Sequence, residues 1–214
     1  MVRRLILLAA FFVIFLPCLS IANTDGPYTA SISSALTDWT GTLSFQQFNP
    51  ALGTLNSVEI ELFGSMDTVL TVTNNSDEVS SGHANTHLKI TVQDLGHNLI
   101  DAPQIDMWSP DFDYVLAAYQ SLTSGLLTKN DTYSHLYTNS VILNEFTGIG
   151  NIVLDAGTFT ETALFNTGGN TDTGQVTHAL LNGTVTYNYT VPEPATITLL
   201  CAGAFALLKR KSGK

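Results

Sequence analysis

The side chains of this chain best suited to chemistry are its imidazoles and carboxylates. Five histidines occur: His83, His87, His97, His135 and His178. His83 and His87 are four apart, a spacing that suits two zinc ligands on one helix. Here they lie in a loop running into a strand, with no cysteine nearby and no glutamate in the metalloprotease pattern, so exposed or hydrogen-bonded histidines are the reading. Asp101, Asp106, Asp111 and Asp113, spread over DAPQIDMWSPDFD, form the metal candidate. Calcium takes several oxygen ligands on a bendable loop. The glycine and closing glutamate of the helix-loop-helix calcium motif are missing, so this candidate is weighed against a solvated acidic loop.

Nucleophilic catalysis lacks its residues. No Gly-x-Ser-x-Gly elbow occurs, and both cysteines, Cys18 and Cys201, fall inside apolar end segments. Any two of the many acids can be imagined as a glycosidase pair, but abundance is not placement. No catalytic residue is assigned, the chain is read as not an enzyme, and no cofactor is expected beyond the calcium candidate. Trp39, Trp108, Tyr133 and Tyr137 can stack on sugars, or fill the core or rim of a sandwich. Asn-x-Ser/Thr sequons at Asn74, Asn130, Asn182 and Asn188 read as incidental in a body rich in Asn and Thr.

The segments flanking these residues set the compartment. Met1-Val2-Arg3-Arg4 is basic, residues 5–16 are unbrokenly apolar, and Pro17 ends the run. Ser20-Ile21-Ala22 then offers small residues for cleavage between Ala22 and Asn23, the pattern of a secretory signal peptide. Cys18 invites a lipoprotein reading, but Pro17 sits where a small residue is wanted. At the other end Val191-Pro192-Glu193-Pro194 precedes an apolar run over 195–208 and a basic stop at Lys209, Arg210 and Lys211. This reads as a membrane segment with a helix-hostile entry, although a span of about 14 residues is short for a bilayer core of roughly 30 Å. An ordinary single-pass anchor explains the span and the basic stop, but not the Pro-Glu-Pro tripeptide.

Setting the two ends aside sharpens the charge. Of 18 acidic residues only Glu193 lies outside residues 23–190, leaving 17 against Lys89 and Lys129, a formal charge of −15. Such a body repels nucleic acid and anionic lipid, and nucleic-acid binding is excluded. It also has no thiol, so its stability in an oxidising compartment must come from its core.

Residues 23–190 have strand texture. Residues 41–48 put Leu43, Phe45 and Gln47 on one face, and residues 58–63 put Val58, Ile60 and Leu62 opposite Glu59, Glu61 and Phe63. A third strand over 68–73 is expected beyond a tight turn at Gly64-Ser65-Met66-Asp67, and a fourth over 87–93. Across 111–127 the helical spacing of Val115, Leu116, Tyr119 and Leu122 predicts a short helix or an irregular crossover. Strands are expected again at 140–143, 150–154, 157–165 and 180–191, with a mobile, exposed loop over 166–174. About eight short strands with irregular turns argue an antiparallel β-sandwich.

The C-terminal unit resembles the PEP-CTERM sorting signal of exported bacterial proteins: Val191-Pro192-Glu193-Pro194-Ala195, a short apolar span and a Lys209-Arg210-Lys211 end. The resemblance implies that an exosortase, a membrane protease-transpeptidase, reads the tripeptide, removes the span and passes the body to the cell surface. Residues 43–58, LSFQQFNPALGTLNSV, resemble the choice-of-anchor E domain, as do Phe146-Thr147-Gly148-Ile149-Gly150 and the closing Gly183-Thr184-Val185-Thr186-Tyr187-Asn188-Tyr189. That second resemblance implies a sandwich at the cell surface and no assigned chemistry.

The expectation is therefore an all-β protein, an antiparallel jelly-roll-like sandwich over 23–190. A signal-peptide helix over 1–22 and a transmembrane sorting segment over 191–214 flank it. Its expected place is the cell surface or extracellular matrix, reached through a transient inner-membrane stage. Signal peptidase and an exosortase are the expected export partners, and exopolysaccharide the expected surroundings. The alternative is a carbohydrate-binding sandwich assisted by calcium.

Overall fold

The computed structural model describes residues 21–99 and 103–191. The signal-peptide helix, the apolar span, Pro192, Glu193, Pro194, Lys209, Arg210 and Lys211 lie outside the described residues, and so does Asp101. Ten strands, one short α-helix and a 3-10 turn at Pro50–Leu52 are described: β1 (Ile21–Leu36), β2 (Thr40–Gln46), β3 (Thr54–Asn74), β4 (Ser80–Asp94), β5 (Gln104–Trp108), β6 (Phe112–Leu116), β7 (Ser121–Thr123), β8 (Leu127–Tyr137), α1 (Ser140–Glu145), β9 (Asn151–Thr167) and β10 (Thr171–Val191). No described helix is long and apolar enough to cross a membrane.

The strands form two antiparallel sheets of five. The first runs β1-β10-β3, with β7 and β8 both on the far side of β3; the second runs β2-β9-β4, with β5 and β6 both on the far side of β4. Strict alternation builds both central strands. In β3 Val58, Ile60, Leu62, Met66, Leu70 and Val72 point inward, and in β4 Ala84, Leu88, Ile90 and Val92 do the same. The inner faces meet in a core of two clusters, a larger one that includes Leu43, Phe45, Leu154, Leu181, Val185 and Tyr187 and a smaller one of Leu70, Val72, Ala84, Tyr114 and Leu116. Polar bonds tie the layers together inside it. Thr68 on β3 meets Thr86 on β4 at 3.1 Å and Thr177 on β10 at 2.7 Å, all three buried, and the Tyr187 hydroxyl donates to the Gln46 carbonyl at 2.7 Å.

Both sheets meet one problem in the same way. Residues 104–116 run antiparallel along β4, and residues 121–137 run along β3, each interrupted part way. At each break a buried serine takes over the ladder. Thr86 N donates to Ser109 Oγ at 2.9 Å while Ser109 N donates to the Thr86 carbonyl at 2.8 Å. Likewise Leu70 N donates to Ser124 Oγ at 2.9 Å and Ser124 N donates to the Leu70 carbonyl at 2.8 Å. Pro110, which has no N–H to give, follows the first of these serines.

Several expected elements differ. The tight turn at 64–67 does not exist, because β3 passes straight through it. Gly64 is there for room: a Cβ would lie 2.9 Å from Ile105 Cδ1 and 3.0 Å from Ile90 Cδ1. Instead of a helix over 111–127, β6 and β7 form, with Leu116 buried but Val115 and Tyr119 largely exposed. Residues 140–143, expected as a strand, open α1, capped by Asn139, whose side chain accepts from Val141 N. The two strands at 150–154 and 157–165 are one, β9. The loop at 166–174 shrinks to residues 168–170, and β1 was not foreseen.

Candidate functional site

The outer face of the second sheet is where chemically capable side chains gather. Its middle is β4, whose outward residues are His83, Asn85, His87, Lys89, Thr91 and Gln93, alternating with the buried ones. Register decides what flanks each. His83 lies between Phe165 on β9 and Asp113 on β6, His87 between Glu161 and Trp108, and Lys89 between Phe159 and Asp106. Directly opposite residues in neighbouring antiparallel strands have Cβ atoms about 4.5–5.5 Å apart, so each row is a contact set. Gly82 holds the upper end of β4 close to β9, since a Cβ there would lie 1.8 Å from the Phe165 carbonyl oxygen.

His87 is the centre of this face. Its Nε2 is 2.7 Å from Asp106 Oδ1 and its Nδ1 is 2.9 Å from Glu161 Oε1. Ionised carboxylates only accept, so the arrangement favours the doubly protonated ring, in which both nitrogens donate. Burial works against that charge, but the hydrogen bonds to Glu161 and Asp106, with their negative charges, outweigh it and hold the imidazole above the ordinary histidine value. The ring also stacks on Trp108, with centroids 4.3 Å apart and planes 5° apart. His83 stacks in the same way on Phe165, at 4.7 Å and 28°. The imidazoles thus hold two aromatic rings in place while leaving them accessible, Trp108 at 45% and Phe165 at 58% exposed; Phe159, unstacked, is also 58% exposed.

Beyond Lys89 the face dips into a groove of about 620 Å³, lined by Thr40, Thr42, Thr91, Gln93, Asp155 and Gly157 among others. Gln93 and Asp155 are directly opposed on β4 and β9. Gln93 Oε1 has no hydrogen-bond partner among the described residues. The lining is therefore rich in acceptors and hydroxyls, and it contains no cation.

The residues singled out from sequence are distributed as follows. Asp106 is engaged by His87, Asp111 Oδ1 accepts from Asn85 Nδ2 at 2.8 Å, and Asp113 sits on a different strand opposite His83. Among the described residues no group of three or more His, Cys, Asp or Glu is arranged to hold a metal ion. Of the four aromatic candidates only Trp108 faces solvent. Trp39 packs against the core and donates through Nε1 to the Ala179 carbonyl at 3.3 Å, Tyr133 is half-buried against the core, and Tyr137 is buried within it. Asn74 is fully buried, and its side chain donates to the carbonyls of Glu78 and Ala117, so that sequon is closed to modification. Phe159, Phe165, Asn85, Glu161 and Asp155 were not foreseen as site residues. Alternation along 151–167 was the one signal that could have placed the four of these that lie on β9 on a single face.

The export residues also come together. Val191 ends β10 opposite Ile21, with Ala22 opposite Thr190 and Asn23 opposite Tyr189. The expected signal cleavage at Ala22–Asn23 and the start of the sorting motif therefore lie side by side at one end of the first sheet.

Residues 190–211 match the model of the PEP-CTERM protein-sorting motif. No match to a functionally curated protein was found. Among solved structures, the infectious bursal disease virus Gx strain aligns at 17% identity over 82% of this chain and 43% of that one, with a TM-score of 0.18. The extra small virus particle of the prawn Macrobrachium rosenbergii aligns at 12% identity over 79% of both chains, with a TM-score of 0.19. TmCBM61 in complex with β-1,4-galactotriose aligns at 9% identity over 84% of this chain and 90% of that one, with a TM-score of 0.23. Scores this low bear on neither fold nor function.

Proposed function

We propose that this protein is a non-catalytic structural or interaction component of the cell surface or extracellular matrix, in contact with exopolysaccharide. The observation that carries the reading is the match to the protein-sorting motif over residues 190–211, which marks an exported chain sorted to the surface through an exosortase. Signal peptidase first releases Asn23, the apolar span over 195–208 holds the chain transiently in the inner membrane, and its removal frees the body. The body's charge of −15 suits a soluble, self-repelling matrix component. Replacing Pro192, Glu193 and Pro194 together by alanine, followed by cell fractionation, tests this reading. The variant stays in the membrane fraction while the parent reaches the surface; equal surface amounts of both overturn the proposal.

Carbohydrate recognition by the body is a second reading, supported by the exposed rings of Trp108, Phe159 and Phe165 on one sheet face. Calcium assistance through Asp101, Asp106, Asp111 and Asp113 is a separate part of that reading. A calcium titration of the full chain tests it, with a rise in melting temperature in its favour and an unchanged one against it.

A further inference from the structure

We propose that the outer face of the second sheet binds an amino-sugar polymer whose amino groups are free and protonated, with the groove at Gln93 and Asp155 taking one charged sugar. The inference rests on the reading of the body as a matrix component that meets polysaccharide, and it names which polysaccharide.

Charge selects the class. Asp106, Asp111, Asp113, Asp155 and Glu161 project from this face, against Lys89 and the His87 ring held between Asp106 and Glu161, which leaves the acids in excess. An anionic, uronate-type chain is repelled here, and a cationic one is attracted. The groove repeats the preference at short range. The exposed Asp155 carboxylate stands in the groove among threonine hydroxyls, opposite Gln93, whose Oε1 is buried and unpartnered, so the lining accepts from an ammonium group and has no cation to satisfy an anion.

The rings select a sugar over a basic peptide. Phe165 lies six residue steps along the strand from Phe159, about 20 Å at the usual rise. Between them on β9 come the outward-facing Glu161 and Ala163, and Trp108 stands to one side, across β4. Aromatic platforms parted by hydrogen-bonding rows offer each ring to one sugar of an extended chain. A protein interface instead wants a continuous apolar core. The stacking of His83 and His87 fixes two of the platforms, Phe165 and Trp108, beforehand, which lowers the ordering cost on binding.

Titration calorimetry on the full chain in detergent tests the inference with three probes of equal length: a glucosamine hexamer, its fully N-acetylated counterpart, and hexalysine. The glucosamine hexamer binds, and the N-acetylated hexamer binds about tenfold or more weakly, the loss expected when a charge-assisted bond is removed. Hexalysine binds weakly too, because it cannot stack. Asp155→Asn weakens binding of the glucosamine hexamer to the level of the acetylated one, and Phe159→Ala weakens both sugars. Each variant keeps the parent circular dichroism spectrum and melting temperature. Equal binding of the two sugars, hexalysine binding as tightly as the glucosamine hexamer, no binding of any probe, or an unchanged Asp155→Asn variant overturns the inference. Failure of surface delivery, read by fractionation, would leave these affinities as they are, so the two proposals fail separately.

Discussion

The two sheets are built alike and finished differently. Each has a long central strand, β3 or β4, whose far side is covered by an interrupted run with a buried serine at the break. Their outer faces diverge. On the first sheet hydroxyls pair with hydroxyls across strands, Thr71 with Thr123 at 3.1 Å and Thr73 with Ser121 at 2.8 Å, and Asn188 donates to Ser57 at 3.1 Å. These rows consume their own hydrogen-bonding capacity. On the second sheet imidazoles stack on exposed rings, carboxylates stand at their edges, and an amide oxygen in the groove has no described partner. One architecture thus carries paired hydroxyl rows on the first sheet and stacked, exposed rings on the second.

Substitutions can separate frame from face. The largest effect belongs to Gly82→Ala, which pushes a methyl group into the Phe165 carbonyl and parts β4 from β9. A destabilisation of about 2–3 kcal/mol, or a fall in melting temperature of roughly 5–10 °C by calorimetry, is expected, with loss of binding at the second sheet. Thr68→Val follows. It removes the middle hydroxyl between Thr86 and Thr177 and leaves buried polar groups short of partners, at a cost of about 1–3 kcal/mol. Because Thr68 lies in the core, urea unfolding shifts while the affinity of the folded protein stays the same.

Next come the faces themselves. Trp108→Ala weakens glucosamine-hexamer binding by roughly three- to tenfold with little change in stability, the worth of one stacking contact. The pair Thr71→Ala and Thr73→Ala on the first sheet leaves binding unchanged. A first-sheet effect of equal size would erase the distinction between the two surfaces.

The smallest effect is a pH slope. His87 is held above its ordinary value of 6.5 once burial is outweighed by Glu161 on β9 and Asp106 on β5, with Lys89 the next charge along β4. A raised folded value means the unfolded chain gives up this proton first. The contribution is therefore whole below about 6.5 and lost as pH rises through the higher folded value. The melting temperature should fall slightly from neutral into mildly alkaline pH, and His87→Gln should flatten that part of the profile. A slope that survives the substitution assigns the effect elsewhere.

The sandwich was legible in sequence wherever one face is buried and the other wet. Leu43 and Phe45, Val58 to Leu62, Leu88 to Val92, and Val185 with Tyr187 alternate plainly because the core enforces it. Legibility failed where that pressure is weak. β1 is an edge strand that carries Gly26 and Pro27, which read as turn residues. Val115, Tyr119 and Leu122 mimicked a helix only because exposed apolar residues happened to fall at that spacing. Residues 140–143 are apolar enough for a strand, and only the Asn139 cap tells otherwise. The site was hidden for a different reason: its contacts are long-range. His87 meets Asp106 and Glu161 across 19 and 74 residues of chain, and no local pattern encodes that register. The aspartates were read together because they are near in sequence. β5 and β6 then set Asp106 and Asp113 opposite different residues of β4.

The export account turns on the segments that precede β1 and follow β10, two strands whose residues Ile21 and Val191 pair. Intact mass spectrometry of the surface form tests it most directly. The account predicts a species that begins at Asn23 and ends before the apolar span over 195–208, free of both Cys18 and Cys201. A surface species that retains residues 195–214 would contradict it.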